Sequence, residues 1–401
     1  MKKVTYTEVK AMTPGWLMLV GALGVLVLAA LGAVWHMEHN GHWVTGMTNQ
    51  IVWGMPHVFA VFLIVAASGA LNVASIGSVF GREPYQPLGR LSGLLAIALL
   101  AGGLAVLVLD LGRPDRLMVA MTHFNFKSIF AWNVILYTGF FGIVAAYLWT
   151  MMDWTVKGWY KPAAIAAFTW RLILTTGTGS IFGFLVAREG YNSAVMAPLF
   201  IAMSFAFGLA AFILVLRFAY AFTGRELATD LITRLGRLLA LFCAANLYFV
   251  AVQHLTALYA ANRGGVEGYI LMNGGLFTKL FWIGQVVIGG LLPMAIGWHK
   301  CAHRRMMVPV AAGLVILGGL AQVFVIIIGG QSYPLNLFPG MDVSSSFFDG
   351  QAHAYHPSLP EIVLGVGGFA ITLLIVTVGA TYLRFLPEAL PGEEACCEAA
   401  E

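Results

Sequence analysis

DLGRPDRLMVAMTHFNFKSIFAWN, residues Asp110 to Asn133, joins two long apolar runs through a connector holding Asp110, Arg113, Asp115, Arg116, His123, Asn125 and Lys127. Only 10% of the 401 residues are charged and 60% are hydrophobic, so a polar set this dense between apolar runs is exceptional in the chain. The flanking runs, near 90–112 and 128–151, are long enough to cross a membrane. A hydrocarbon core about 30 Å thick takes roughly 20 helical residues. No water in that core can satisfy backbone amides, so the runs must be helices, and they are too long and too unalternating for barrel strands. The connector is then a turn between two membrane helices.

Further runs of this kind lie near 15–36, 51–77, 162–187, 196–220, 237–260, 277–298, 307–329 and 361–386. The expected fold is an all-α polytopic membrane protein of about ten transmembrane helices, arranged as two four-helix bundles plus flanking helices. Residues 1–14 form a cytoplasmic N-terminus, 15–386 the transmembrane domain and 387–401 an acidic cytoplasmic tail. A mean hydropathy of +0.84 excludes a soluble domain. The net charge of +4 comes from basic residues scattered over connectors, with no patch interleaved with aromatics, so nucleic acid is not an expected partner. The end shared with the N-terminus carries fifteen Lys and Arg; the other end carries six, namely Arg113, Arg116, Lys127, Arg188, Arg263 and Lys279. Positive charge is retained inside, so both termini are expected in the cytoplasm, with the first span kept as an anchor.

The four cysteines, Cys243, Cys301, Cys396 and Cys397, form no C-x-x-C or cluster-type run, so no covalent haem, iron–sulfur cluster or structural zinc is expected. His36, His39 and His42 form H-x-x-H-x-x-H in the first outer connector, a spacing that does not ensure a metal geometry. The connector from Gly330 to Pro360 carries no Lys or Arg and is long enough to cover a site or bind a partner.

Topology gives the polar residues a depth. His57 lies about two turns below the outer surface behind Trp53, Asp110 ends the third span, and Asn133 lies a turn into the fourth. With His123 they converge on the outer leaflet, where ionisable groups within spans are costly and default to functional candidates. Arg171 is expected midway down the fifth span, facing inward toward a carbonyl, a carboxylate or water. The run from Thr175 to Ser180 reads as helix packing or as the wall of a polar cavity, and Gln253 and His254 lie toward the outer end of the seventh span.

The ordered patterns Trp53-Gly54-Met55-Pro56-His57, Asp110-Leu111-Gly112-Arg113-Pro114, His123-Phe124-Asn125 and Trp132-Asn133 resemble the NrfD/PsrC family of quinone-interacting membrane subunits. Phe281-Trp282 and Tyr355-His356-Pro357 before Glu361 are similar to its ten-span members. The connector opening at Gly329 and the run Thr176 to Phe184 look like the DsrP branch, found in DsrMKJOP sulfur-metabolism complexes. The resemblance implies a bacterial or archaeal inner-membrane subunit that binds menaquinone or ubiquinone near the outer face. It implies electron exchange with a periplasmic iron–sulfur subunit, beside other DsrMKJOP-type subunits, with no haem or cluster held by this chain. It places His57, Asp110, His123, Asn133 and Trp53 at the quinone, and leaves Arg171, Ser180, Gln253 and His254 as a candidate proton path. Relatives carry a His in the fifth span and a Glu in the seventh, where this chain has the Thr175–Thr178 run and Gln253.

Two other classes remain open on the residues alone. A secondary transporter would accommodate ten spans and a buried Arg171, although no inverted repeat is evident. A cytochrome b-like subunit would use His57 and His254 as haem ligands.

Overall fold

The computed structural model describes residues 5–273, 275–299, 306–335, 341, 350–388 and 390. Cys301, Cys396, Cys397, Lys300, Arg304, Arg305, most of the tail and the middle of the 330–360 connector lie outside them.

Among the described residues twelve helices follow in order: α1 Pro14–Asn40, α2 Met55–Ser78, α3 Gly89–Leu109, α4 Leu117–Thr122, α5 Ile129–Met152, α6 Tyr160–Gly183, α7 Met196–Thr223, α8 Thr229–Tyr259 and α9 Gly264–Leu271, then α10 Leu276–Trp298, α11 Met307–Ser332 and α12 Leu359–Tyr382. Nine of them are long and apolar enough to cross a membrane. The run expected at 162–187 is α6, which misses that threshold of apolarity because its interior carries Arg171 and a series of threonines and glycines. It nevertheless runs 24 residues and packs against α5, α7 and α2, so the ten-helix architecture stands.

The ends of the elements follow local chemistry. Proline in the first turn starts α1, α2 and α12, where a missing N–H has no partner to lose. Gly224, at φ 66°, ends α7 in the left-handed conformation that a side chain would disfavour. At α8 the helix begins at Thr229, eight residues before the expected 237, because an ion pair one turn apart, Arg234 Nε to Asp230 Oδ2 at 2.8 Å, supports a polar first turn. His36 and His39 belong to the last turns of α1 and not to a connector. Among the described residues no set of three metal-ligating side chains gathers.

Two closed rings of four helices organise the molecule. In the first, α2 contacts α3, α3 contacts α5, α5 contacts α6 and α6 returns to α2; in the second, α7, α8, α10 and α11 repeat the circuit in the same order. The rings meet where α2 crosses α7 at Gly69 and Gly208. A Cβ on Gly69 would fall 1.6 Å from the Ser204 carbonyl oxygen, so only glycine allows that approach. Outside the rings, α12 packs on α3 and α2, and α1 packs on α12.

The segment before α1 and the segment after α12 lie together at one end of the bundle, because Tyr6–Thr7 pairs antiparallel with Leu386–Pro387. Pro387, expected to open the tail, is thus part of the folded body, and the Tyr220 hydroxyl donates to its carbonyl at 3.0 Å. The opposite end, where α2 begins and α3 finishes, is the distal end.

Candidate functional site

Because α2 and α3 are antiparallel neighbours, the first turn of one meets the last turn of the other at the distal end. His57 sits in the first turn of α2 and Asp110 caps α3, its N–H donating to Val106 O at 3.1 Å. The two side chains meet with His57 Nδ1 3.0 Å from Asp110 Oδ2. The contact is short but not aligned as a hydrogen bond, and among the described residues neither Asp110 oxygen has a hydrogen-bond partner although the side chain is 0% exposed. A buried carboxylate without an aligned donor costs about 1–3 kcal/mol or more unless another donor reaches it. His57, 17% exposed at its side chain, is the more accessible member.

Trp53 stands beside this pair at the centre of an aromatic cluster. Its ring lies 6.1 Å from His57, 5.8 Å edge-on from Phe182, 6.2 Å from Phe130 and 6.3 Å from Tyr191. The cluster offers an apolar wall with polar tips turned away: Tyr191 OH donates to Ile327 O at 2.5 Å, and burial pushes that hydroxyl above its usual range. The Trp53 backbone is clamped by Gln331 of α11, whose Oε1 accepts from Val52 N and Trp53 N, both at 3.0 Å, and whose Nε2 donates to Trp53 O at 3.0 Å. Arg188 closes the clamp by donating to Gln331 O at 2.7 Å and Gln50 O at 2.6 Å, and its burial lowers its pKa below the ordinary arginine value.

The other expected members of the site are placed elsewhere. Asn133 is buried on α5, but its amide donates to Ile129 O at 2.9 Å and Gly177 O at 3.1 Å, which binds α5 to α6. His123 ends α4, a helix with no buried residue, and its Nδ1 lies 3.0 Å from Thr122 Oγ1 on the exposed surface. The four residues of the candidate proton path do not form one continuous series. Arg171 lies between the rings, where its guanidinium donates to Ser68 O at 3.3 Å and stacks over Phe168 and Phe205 at 4.9 and 5.1 Å. Of the partners expected for it, a carbonyl is present, and no described carboxylate pairs with it. Ser180 is buried on α6, one turn before the helix end. In the second ring, Gln253 accepts from Ser193 Oγ at 2.7 Å, and His254 Nδ1 lies 2.7 Å from Glu267 Oε2 with Phe281 edge-on to its ring at 4.7 Å. His57 and His254, the pair a haem would need, occupy different rings and each faces its own carboxylate.

Sequence reasoning placed Tyr355 and Glu361 at this end without bringing them to the site, and did not single out Gln331. Glu361 was legible as the fourth residue of Ser358-Leu359-Pro360-Glu361, the capping-box spacing, and the box is formed: Ser358 N donates to Glu361 Oε2 at 2.7 Å. Gln331 carried no comparable signal.

A ten-helix bundle with a His–carboxylate pair buried at one end defines a membrane-embedded subunit with a polar centre of its own. The chain belongs to the NrfD family, described as polysulphide reductase, NrfD, whose pattern matches residues 43–334. It is 29% identical over 372 residues to the Hdr-like menaquinol oxidoreductase integral membrane subunit of Archaeoglobus fulgidus, covering 91% of this chain and 93% of that one. It is 28% identical over 411 residues to a putative dimethyl sulfoxide reductase membrane subunit of Halobacterium salinarum, covering 94% and 93% respectively. With a polysulfide reductase polypeptide of Wolinella succinogenes it shares 26% identity over 312 residues, 71% of this chain and 96% of that one.

Proposed function

We propose that the chain is the membrane subunit of a quinone-linked oxidoreductase and that His57 and Asp110 form the quinone-facing centre, with Trp53 as its aromatic wall. One observation carries the reading: a fully buried Asp110 carboxylate has no hydrogen-bond donor among the described residues and stands 3.0 Å from an accessible histidine. A quinol hydroxyl is a donor of the kind this pair lacks. Oxidation of a quinol releases two electrons and two protons, and a His–carboxylate pair suits the acceptance of a proton as the electrons leave for an iron–sulfur partner. Menaquinone is favoured over ubiquinone by the name of the archaeal relative.

On this reading the distal end faces the periplasm or its archaeal equivalent, the termini lie in the cytoplasm, and the exposed α4 segment with His123 is part of the surface met by the iron–sulfur subunit. Asn133 supports the site from α5. The likeness at Gly329 and at Thr176 to Phe184 favours a DsrP-type role in a DsrMKJOP-type sulfur-metabolism complex. Protons taken up at His57 pass to Asp110; Arg171, Ser180, Gln253 and His254 serve longer-range proton movement.

The test is quinol oxidation by the assembled complex carrying His57→Ala. A fall of about 100-fold with the subunit still assembled is expected, the magnitude lost with a general acid–base group. Oxidation at the wild-type rate would sink the assignment.

A further inference from the structure

The turn that presents His57 is held by a group in the connector just before α12, some 300 residues away in sequence, and by one in the first turn of α12. Its own first turn is loosely bonded, with Val58 N to Gly54 O at 3.4 Å. The early N–H groups of a helix have no partner within the helix and need an outside acceptor. For Met55 N the acceptor is the Tyr355 hydroxyl, at 2.6 Å. That hydroxyl in turn donates to Glu361 Oε1 at 2.6 Å. The other carboxylate oxygen accepts from Gly46 N at 2.8 Å and Ser358 N at 2.7 Å. Glu361 is 0% exposed and Tyr355 only 4%, so the bond between them is buried, while those to Met55, Gly46 and Ser358 are partly so. Burial, and then the bond to Glu361, raise the Tyr355 pKa, which keeps its proton available for donation.

The backbone is shaped to the pair. A Cβ on Gly54 would lie 2.4 Å from Glu361 Oε1 and 2.8 Å from the Tyr355 oxygen, so glycine is what lets the loop before α2 lie against both groups. Both Tyr355 and Glu361 lie beyond residues 43–334, the part of the chain that the family pattern describes.

We propose that Tyr355 and Glu361 are positioning residues of the distal centre: through the Met55 N–H they fix the first turn of α2, and with it the direction in which His57 faces Asp110. The inference rests on the reading of His57 and Asp110 as the quinone-facing pair. Losing the hydroxyl in Tyr355→Phe leaves a buried N–H and a buried carboxylate oxygen short of a partner, a loss that corresponds to about a tenfold change or more.

The experiment uses the whole complex in membranes with menadiol as the quinol, and compares wild type, His57→Ala, Tyr355→Phe, Glu361→Gln and Gly54→Ala. Positioning predicts that Tyr355→Phe, Glu361→Gln and Gly54→Ala each lower kcat about tenfold while KM changes little and the assembled amount is kept. Wild-type kcat in Tyr355→Phe and Glu361→Gln, with His57→Ala inactive, overturns the positioning role and leaves the site intact. An active His57→Ala overturns the site reading itself. If Tyr355→Phe fails to assemble, Glu361→Gln and Gly54→Ala decide: reduced kcat at full assembly supports positioning, and activity that falls only in step with the assembled amount overturns it.

Discussion

The two four-helix rings each place a histidine against a buried carboxylate at the distal end, but they leave the carboxylates in opposite conditions. In the second ring His254 and Glu267 approach to 2.7 Å in hydrogen-bonding geometry, with Phe281 over the histidine. In the first, His57 and Asp110 stand at 3.0 Å without an aligned bond, and both Asp110 oxygens are buried and without a hydrogen-bond partner among the described residues. The covering elements differ as well. The short helix α9 turns Val266, Glu267 and Ile270 inward, whereas α4, which follows the corresponding helix of the first ring, buries none of its residues. The same architecture therefore yields a completed pair in one ring and an incomplete one in the other. Buried polar groups left incomplete in a folded protein call for a specific reason, such as a redox or catalytic role or a bound water or ion.

The sharpest way to break the comparison is to neutralise each carboxylate separately. Asp110→Asn should lower quinol oxidation about 100-fold, while Glu267→Gln should leave the rate within about threefold of wild type, both measured on the assembled complex. Equal losses would mean that the rings are functionally alike. Glu267→Gln should instead appear in the thermal unfolding of the purified subunit, as a destabilisation of about 1–3 kcal/mol for a buried bond weakened on one side. Between the rings, Arg171→Met exchanges a guanidinium with one long carbonyl bond for an apolar chain, and unfolding should shift by less than about 1 kcal/mol, since a desolvated charge contributes little net stability. A large loss there would show Arg171 to be a structural joint. The smallest effect is expected at Asp115→Asn. The Arg113 guanidinium holds the Asp115 carboxyl below its usual pKa, yet both groups are at the surface, and neither activity nor unfolding should move.

Reading the sequence reached the helices more fully than the site. Long apolar runs are local, so α2, α3, α5 and α7 could be located from composition alone. The largest boundary error fell where polarity and helicity part company, at the charged first turn of α8. His57 and Asp110 were also accessible, because adjacent antiparallel spans bring the start of one beside the end of the other. Asn133 shares their level, but its amide is engaged by Gly177 of the next helix, a pairing that depth does not disclose. The groups that orient the centre were the least legible. Gln331 and Tyr355 reach Trp53 and Met55 across 278 and 300 residues of sequence, and no periodicity encodes such a contact.

The neighbourhood of α1 has a consequence for how the protein is made. Its spanning window is 11% buried, and its principal partner is α12, reached through Trp16 Nε1 to Thr381 Oγ1 at 2.9 Å and the close seat of Ala30 on Gly367. Synthesis proceeds from the N-terminus, so α1 waits through the making of α2 to α11 before its seat on α12 exists. Closure of Tyr6–Thr7 on Leu386–Pro387 then comes only after α12 has been made. A chain truncated after α11 would release its two rings with the leading helix adrift in lipid.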